Sequence, residues 1–341
     1  MHILNPIEYP DWNDLLLKSD DASFFHTSNW AKVLHESYGY APLYFAEIEA
    51  DKLSVLMPFM EVNSILTGRR GVSLPFTDYC QPIFTKNIRF QDLLNEVIDY
   101  GRQTCWKYIE WRDGQNFPEE SQPSAIYYDH TLDLTKNEKQ LLARFRDSTK
   151  RNIKKAKKMG VKVDIMNSME GVTSFYKLNC ITRKDHGLPS QPLRFFKSVF
   201  QHVISEGLGH IVLASYEKKI IAGAIYFHFG KRALYKYGAS YSRNQRLRPN
   251  NIVMWKAIKC YAEKEFETFS FGRTEPEHAG LLQFKRGWGT REHTIQYYRY
   301  DLTKAMFLQT GKGIKSSYCF LKKLPLPLLN LAGSLLYKHV G

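Results

Sequence analysis

A lysine stands among aromatic residues and glycines late in the chain, in the segment GLLQFKRGWGTRE. Lys285 follows Phe284, and Trp288 lies between Gly287 and Gly289. A cation beside residues that open the backbone suits two structures: a solvated turn, or a positive charge directed at an anionic group. The motif by itself leaves both interpretations open.

A second set of cations precedes a predicted helix, in YSRNQRLRPNN. Arg246 and Arg248 come just before Asn250 and Asn251, either of which can cap the helix, and Pro249 restricts how the chain enters it. The first amides of a helix and its partial positive charge favour phosphate. We therefore predict a phosphate or donor site at these two arginines and two asparagines. A solvent-facing basic loop is the alternative.

The segment 144–162 is strongly basic, with nine Lys or Arg and one Asp. Its apolar residues recur at helical spacing, and Gly160 is placed to end a helix in a left-handed cap. Arg151 and Lys155 would lie on its cationic face. That face could bind a nucleotide diphosphate, RNA or acidic lipid, or it could be solvated; the two interpretations are balanced.

Several residues could take up a proton near neutral pH. His186 and His278 lie among polar residues, Glu275 precedes His278, and Asp78 and Tyr79 end a predicted strand in PFTDYC. Histidines and carboxylates serve as general acids and bases, and Asp78 could accept a proton from an amine. Structural histidines and a turn-capping aspartate are the alternatives.

Composition narrows the class of protein. The 341 residues carry 48 Lys and Arg and 34 Asp and Glu, a net charge of +14, which favours an anionic partner. With 43% apolar residues, wholesale disorder is excluded. The five cysteines form no CxxC pair, so we expect neither a metal site nor a disulfide framework. The first 20 residues lack an apolar signal core, which predicts a cytoplasmic protein.

The elements that must position these residues occur twice in the same order. A hairpin, a turn (GRR or GKR), a strand (VSLPFTDYC or ALYKYGASY), a helix and a short strand (KYIEWR or TFSFGR) follow one another in each half. The hairpins turn at Asp51–Lys52 and Lys218–Lys219. This order predicts a duplicated α+β unit, with chance agreement of a common α/β order as the alternative.

We predict a first domain over 1–135, a basic linking helix over 136–160, a second domain over 161–305 and a basic, apolar tail over 306–341. The tail is too short and too interrupted by proline to span a bilayer. It could lie in a membrane interface, with its lysines on acidic headgroups, or pack on the protein as a closing helix.

Four segments, RDSTKRNIKKAKKMGVKV, ITRKDHGLPSQPLRFF, YGASYSRNQRLRPNNIVMWKAIKCYA and FSFGRTEPEHAGLLQFKRGWG, together resemble the Fem-like branch of the GNAT superfamily. That branch includes peptidoglycan-bridge aminoacyltransferases and the related acyltransferases of exopolysaccharide gene clusters. FFHTSNWAKVLHESYGYAPLYFAE and RRGVSLPFTDYCQPIF are similar to it as well. The resemblance extends over about 24–300.

The resemblance implies an α+β protein of two tandem GNAT-like domains, with mixed central sheets flanked by helices and an acceptor channel between them. It implies that Lys285 stabilises negative charge at the reacting acyl group. It also places Arg151 near the phosphates of a nucleotide- or lipid-linked acceptor. The substrate-binding residues that we expect are Arg151, Lys155, Tyr79, His186, Tyr237 and Trp288.

Two departures leave the donor open. The helical arm associated with tRNA in the bridge-forming enzymes is not visible, and QRLRPN replaces the acetyl-CoA loop pattern Q/R-x-x-G-x-G/A. Acyl-CoA and aminoacyl-tRNA therefore both stay candidates.

Two functions fit the sequence. The first is an N-acyltransferase or aminoacyltransferase that acts on an amine of a cell-envelope precursor, with tRNA and the inner membrane leaflet as further possible partners. The second is a non-catalytic basic protein that binds RNA or the anionic inner membrane surface, with steep salt dependence and without a saturable small-molecule site. The ordered motifs QFKRGWG and RLRPNN favour the enzyme.

Overall fold

The computed structural model describes residues 1–85, 88–112, 117, 121–309 and 322–341. The strands, in chain order, are β1 (His2–Leu4), β2 (Ala41–Glu49), β3 (Lys52–Ser64), β4 (Gly68–Val72), β5 (Ile83–Phe84), β6 (Tyr108–Arg112), β7 (Ala125–Asp133), β8 (Lys162–Ile165), β9 (Gly209–Tyr216), β10 (Lys219–Phe229), β11 (Arg232–Ser240), β12 (Thr268–Ser270), β13 (Arg291–Asp301) and β14 (Met306–Phe307). The α-helices are α1 (Trp12–Leu17), α2 (Ser28–Tyr38), α3 (Phe90–Gln103), α4 (Glu138–Arg144), α5 (Asp147–Lys158), α6 (Met169–Asp185), α7 (Leu193–Val199), α8 (Pro249–Glu263), α9 (Ala279–Arg286) and α10 (Leu326–Val340).

The chain divides into two compact units. Unit 1 comprises Met1–Tyr128, Thr294–Lys315 and Leu335–Gly341, and unit 2 comprises Asp129–His293 and Ser316–Ser334. The predicted basic linker, 136–160, thus lies within unit 2, while 294–305, which we had assigned to the second domain, lie in unit 1. The reason is strand pairing, because the end of β13 pairs with β6 in unit 1.

Unit 1 contains the strand order β1-β2-β3-β4-β6-β13. Only β4 and β6 run parallel in that series, joined by two register pairs that begin at Gly71 and Ile109. The helix α3 lies between these two strands in the chain. It turns Leu93, Leu94, Val97 and Ile98 towards the core, a spacing that gives one apolar face.

Unit 2 contains the strand order β7-β12-β11-β10-β9-β8. Here β11 and β12 form the parallel pair, and α8 lies between them in the chain. Ten of the fifteen residues of α8 are buried, so this helix is enclosed on most of its circumference. The sheet and α8 share one core with α5 through Ile153 and Ala156.

The predicted duplication is confirmed by the shared order of hairpin, strand, helix and parallel strand in the two units. Even the hairpin turns agree: Ala50 and Asp51 in unit 1, and Glu217 and Lys218 in unit 2, all have positive φ values between 47° and 63°. Two consecutive left-handed residues match the twist of a two-residue hairpin. Both turns therefore lie one residue earlier than predicted.

The strand predicted for VSLPFTDYC is wrong beyond its first residue. GRR does not form a turn but belongs to β4, which ends at Val72. Leu74 and Phe76 then adopt φ values of 53° and 61°, in the left-handed region that a strand cannot contain. The chain after β4 is therefore a bent loop.

The single linking helix predicted over 136–160 is also wrong, because this segment forms two helices, α4 and α5. Phe145 and Arg146 are extended between α4 and α5, and Arg146 N donates to Gly287 O at 3.0 Å. Phe145 packs against Trp288, with ring centroids 5.1 Å apart. Contact with the FKRGWG motif thus accounts for the break. The predicted left-handed end at Gly160 is confirmed by its φ of 79°.

Candidate active site

The parallel strands of unit 2 separate soon after they meet. β11 and β12 pair only over Arg232–Leu234 and Thr268–Ser270, yet β11 continues to Ser240. The second half of β11 therefore has no partner on the β12 side within the described residues. Elements that follow each strand, α8 and α9, supply side chains at this opening.

A β-bulge decides which residues of β11 face the opening. On β10, Ile225 pairs with Tyr237 and the next residue, Tyr226, pairs with Tyr235. Lys236, between these two partners, is therefore an extra residue on β11. Because side chains alternate along a strand, the extra residue exchanges the two faces. Gly238 consequently lies on the face of Tyr235, whereas the ring of Tyr237 packs against Phe195 and Phe196 of α7.

The helix α8 begins at this opening without a side-chain cap in the described structure. Its N-cap is Arg248, in the left-handed conformation with φ 57°, and Pro249 is its first residue. The prediction that Asn250 or Asn251 caps this helix is therefore wrong. Pro249 has no amide hydrogen, and Asn251 N donates to Arg248 O at 3.2 Å, so the start of α8 offers an anion the Asn250 amide and its partial positive charge.

Two adjoining cavities form a groove across the start of α8, which we call the α8 groove. The larger, of about 460 Å³, extends from Gly238 and Ser240 of β11 to α9. The smaller, of about 360 Å³, lies between Arg248 and the first turns of α5. The residues that line both are Gln245, Asn250, Gly280 and Phe284.

Ser240 organises the middle of the α8 groove. Its hydroxyl accepts hydrogen bonds from Gln245 Nε2 at 2.7 Å and from Asn250 Nδ2 at 3.2 Å. Its backbone amide and carbonyl both bond to the Thr182 hydroxyl, at 3.0 and 3.1 Å. His186, one of the predicted substrate-binding residues, is exposed and lines the larger cavity. Polar groups therefore stand along the groove in fixed positions.

The four residues predicted as one phosphate or donor site are divided between two places. Arg248, Asn250 and Asn251 line the smaller cavity of the α8 groove. Arg246 instead lines a separate cavity of about 530 Å³, together with Lys177. The sequence spacing of two residues had suggested a shared ligand, but the short 3₁₀ helix over Ser242–Leu247 directs the two arginines to different cavities.

Lys285 lies on the inward face of α9 and is only 2% exposed. Its ammonium donates to Gly272 O at 2.5 Å and to Arg273 O at 3.2 Å, just past the end of β12. On the neighbouring face of the same helix, Gly280 and Phe284 line the α8 groove. Lys285 is thus a buried positive charge beside the groove, and it holds the backbone where β12 leaves β11.

The glycines of FKRGWG permit close packing. A Cβ on Gly287 would lie 2.6 Å from Thr149 Oγ1, and one on Gly289, whose φ is 70°, would lie 2.5 Å from Arg144 O. Trp288 is fully buried between Phe145, Phe271 and Phe284. The motif therefore fixes α9 against the junction of α4 and α5, and the ring of Trp288 packs in the core.

A buried histidine lies close to Lys285 in unit 2. His130 is fully buried, and its Nε2 is 2.8 Å from Glu292 Oε2. Burial, and then the charge of Lys285, lower the pKa of His130. Hydrogen bonds from Arg286 lower the pKa of Glu292. His130 is therefore neutral near pH 7 and Glu292 is charged. Sequence reasoning missed this pair, whose members are 162 positions apart (292 minus 130).

The other predicted site residues lie on the surface or in unit 1. His278 is the N-cap residue of α9, and its Nδ1 is 2.8 Å from Glu275 Oε2, with both side chains exposed. Arg151 and Lys155 are exposed on α5. Asp78 and Tyr79 are partly buried in unit 1, where Asp78 O accepts a 2.7 Å bond from the Tyr297 hydroxyl.

Other α5 residues reach the groove. Ser148, Thr149 and Asn152 line its smaller cavity. The i, i+4 spacing of Ser148 and Asn152 puts them on one helix face and was visible in the sequence. Arg151 and Lys155 follow Ser148 and Asn152 by three residues, so they lie on the adjoining side of the same helix.

A GNAT acetyltransferase domain model matches residues 143–286. The FemX crystal structure has a TM-score of 0.69 at 15% identity and covers 89% of this chain and 97% of its own. A tandem GNAT protein from the clavulanic acid biosynthesis pathway has a TM-score of 0.55 at 7% identity, over 88% of this chain and 97% of its own. The predicted fold class, two tandem GNAT-like domains, is confirmed.

Sequence comparison points to the same branch. Lipid II:glycine glycyltransferase of Staphylococcus haemolyticus is 34% identical over 76 residues, which are 20% of this chain and 18% of that protein. The Staphylococcus aureus protein of the same name is 33% identical over the same length. The match thus spans less than a fifth of these relatives. With the FemX-like fold, it confirms the resemblance to the Fem-type branch of the GNAT superfamily.

Two further observations concern the described residues. None of their helices combines the length and the apolarity that crossing a bilayer requires. Their His, Cys, Asp and Glu side chains form no group of three or more that could hold a metal ion.

Proposed function

We propose that this protein transfers an acyl or aminoacyl group from an activated donor to an amine of a cell-envelope precursor. The observation that carries the proposal is the α8 groove, an elongated opening at the uncapped start of α8 where β11 and β12 separate. Its two adjoining cavities, of about 460 and 360 Å³, suit an extended ligand with an anionic end.

The anionic part of the donor would bind in the smaller cavity. Arg248 supplies charge there, the Asn250 amide at the start of α8 supplies a hydrogen-bond donor, and Ser148 and Asn152 supply neutral polar groups. The acyl end would then extend past Ser240 into the larger cavity. Arg246 does not line this cavity, so its substitution would leave the affinity for the donor unchanged.

Lys285 would act through its field. As the amine attacks the acyl carbon, the carbonyl oxygen gains negative charge and the bond to the leaving oxygen or sulfur breaks. A preorganised positive charge typically lowers such a barrier by roughly 3–4 kcal/mol per donor. The ammonium is buried and oriented by two carbonyls, so it needs little reorganisation during the reaction. Its bonds also fix the backbone beside the acyl group.

The amine must lose a proton during the transfer. We propose the pair His278 and Glu275 as the acceptor, because His278 begins the helix whose Gly280 lines the groove, and Glu275 Oε2, 2.8 Å from His278 Nδ1, orients the ring. Asp78, in unit 1, stays a prediction for the same role.

The acceptor proposed is the peptide amine of a lipid- or nucleotide-linked peptidoglycan precursor, on the precedent of the lipid II glycyltransferases. If the protein instead acts like the acyltransferases of exopolysaccharide gene clusters, the acceptor would be a different amine. The proposed location is the cytoplasm, with tRNA as one candidate partner and acyl-CoA as the other candidate donor.

The test begins with donor binding. Purified protein is titrated calorimetrically with acetyl-CoA, longer acyl-CoAs and glycyl-tRNA at two salt concentrations, and transfer to a lipid II analogue is then followed with the donor that binds. Saturable binding of one donor, followed by amide formation, is expected. Salt-sensitive binding of bulk RNA without a saturable donor site would overturn the proposal in favour of a non-catalytic RNA-binding protein.

A matched pair of variants locates the donor. A Cβ on Gly280 meets nothing within 4 Å, so Gly280→Phe fills the groove without disturbing the core. Ala279→Phe adds the same ring one residue earlier, at an exposed position. Donor affinity should fall at least about a hundredfold in Gly280→Phe and stay within about threefold in Ala279→Phe. Equal effects of the two changes would place the donor elsewhere.

A further inference from the structure

Unit 1 exposes large apolar side chains on two elements that are bonded to each other. The turn between β3 and β4 exposes Ile65 by 92% and Leu66 by 63%. The last turns of α10 expose Leu335, Leu336 and Val340 by 45–66%. We call these five residues the apolar ridge. Exposed apolar residues are ordinary when scattered, but a contiguous set marks an interaction surface.

Three side chains hold the two elements of the apolar ridge together. Ser64 Oγ lies 2.8 Å from His339 Nδ1, and the Thr67 hydroxyl donates to His339 O at 3.2 Å. Arg70, which is only 1% exposed, donates to His339 O at 2.9 Å and to Gly341 O at 2.7 Å. The ridge is therefore a preformed surface, which loses little conformational freedom when it binds.

The turn itself is also ordered. Leu66 N and Thr67 N both donate to Ser64 Oγ, at 3.2 and 3.0 Å. This arrangement fixes Ile65 and Leu66 at the tip, where the backbone is held by the neighbouring serine. Two adjacent large apolar residues at this exposed tip do not contribute to the core of unit 1, which leaves them available for contact with another molecule.

Charge indicates what that molecule is. Lys338 is exposed on α10 within the ridge, between Leu336 and Val340. The chain as a whole carries +14. Exposed apolar side chains with a lysine among them, on a chain of positive net charge, match a bilayer interface with anionic headgroups, where the apolar groups enter the acyl boundary and the lysine remains among phosphates.

We propose that the apolar ridge docks unit 1 onto an anionic membrane surface. The protein would rest on the bilayer without spanning it, with the tip of the β3–β4 turn and the outward side of α10 inserted to the depth of the headgroups. This inference rests on the proposed function in one respect. A protein that transfers a group to a lipid-linked acceptor has to work close to the membrane, and the ridge would hold it there. Membrane binding is measured without donor or acceptor, so the membrane proposal and the proposed function can each fail while the other stands.

The test is sedimentation with vesicles of phosphatidylcholine alone and of phosphatidylcholine with phosphatidylglycerol, at 0.1 and 0.5 M salt. The wild-type chain should bind the anionic vesicles and release at high salt. Ile65→Ser with Leu66→Ser should weaken binding tenfold or more, and Lys338→Glu by about fivefold. Leu17→Ser is the matched control, because Leu17 is 55% exposed in unit 1 but outside the ridge.

Two further measurements separate a loss of membrane binding from a loss of folding or of activity. Thermal unfolding should be unchanged in all variants, since the substituted side chains are exposed, and transfer to a water-soluble acceptor should remain at the wild-type rate. The proposal is overturned by wild-type protein that stays in the supernatant with anionic vesicles, or by ridge variants that bind like the control. It is overturned equally by a dimer in solution that the ridge substitutions dissociate, because a second copy would then cover the surface.

Discussion

The two units contain the same parallel strand pair, but the space beyond it is closed in unit 1 and open in unit 2. After β4 and β6 the backbone bonding continues, with Ser73 N on Glu110 O at 2.8 Å and Cys80 N on Arg112 O at 2.5 Å. After β11 and β12 no such bonds are found among the described residues, and the α8 groove occupies the corresponding position. One fold thus provides both a closed and an open version of the same junction.

Charged side chains fill the junction of unit 1. Glu110 accepts hydrogen bonds from Arg112 at 3.0 Å and from Arg299 at 2.7 Å, and the Arg299 guanidinium lies over the ring of Tyr108. Burial alone would raise the pKa of Glu110, but the two arginines lower it to about 2. In unit 2 the buried cation, Lys285, bonds to backbone carbonyls. Lys285 thus has the backbone carbonyls of Gly272 and Arg273 among its partners, whereas the two arginines of unit 1 share a carboxylate.

The largest effect expected is structural and belongs to unit 1. Glu110→Ala leaves Arg112 and Arg299 buried without their carboxylate, which should lower the free energy of unfolding by about 3–5 kcal/mol. Asp92→Ala, which removes an exposed ion pair with Arg89, should cost less than about 1 kcal/mol. Urea unfolding measures both, and equal costs would mean that the closed junction contributes nothing.

Lys285→Ala tests the open junction. Turnover should fall about a hundredfold or more, because the charge beside the acyl group is lost. Lys285→Arg should retain part of the activity, and Lys256→Ala, at an exposed position of α8, should retain all of it. Full turnover by a folded Lys285→Ala protein would remove Lys285 from the mechanism.

Acid should remove the contribution of the His210 and His228 pair in unit 2 before it removes that of the Glu110 cluster in unit 1. Burial and then Lys264 lower the pKa of His210 to about 4, and burial and then His210 lower the pKa of His228 to about 4. Both histidines are neutral when folded, so their contribution is intact above about pH 6.5 and is lost as pH falls towards 4. Glu110 loses its contribution only below about pH 4.5, its unfolded pKa.

The expected loss between pH 7 and 5 is about 1–3 kcal/mol. Urea midpoints across this range should fall for the wild type and change less for a His210→Gln, His228→Gln double variant. An identical slope in that variant would assign the acid sensitivity to other groups.

The smallest effect separates the two arginines. Arg248→Ala should weaken donor binding about tenfold and reduce its salt dependence, whereas Arg246→Ala should change affinity by less than about twofold. Calorimetric titration of the two variants with the same donor gives the comparison. A greater loss in Arg246→Ala would move the anionic end of the donor to the cavity lined by Lys177.

Periodicity and turn chemistry were sufficient to predict most strands, the principal helices and the duplication. They failed where tertiary contact overrides local preference. Phe145 and Arg146 break a regular helical pattern because Trp288 and Gly287 need them there, and Leu74 and Phe76 take left-handed conformations that no local signal announces. Such features depend on residues far apart in the chain.

The candidate site was predicted in part. Arg248, Asn250 and Asn251 were identified from the rule that helix starts bind anions, although the cap was assigned wrongly. The bulge at Lys236 directs Gly238 rather than Tyr237 into the groove. It could not be predicted from the sequence of β11 alone, because it depends on the register with β10. The burial of His130 beside Lys285 likewise follows from strand order.

The pairing of β6 with β13 has a consequence for how the protein is made. Glu110 and Arg299 are 189 positions apart, so at roughly 5–20 residues per second a ribosome needs on the order of 10–40 s to synthesise the intervening chain. During that interval β6 is paired with β4 but lacks β13, and Glu110 lacks one of its two arginines. We therefore expect chaperones to bind the nascent first half of the chain. Slower elongation should increase its aggregation.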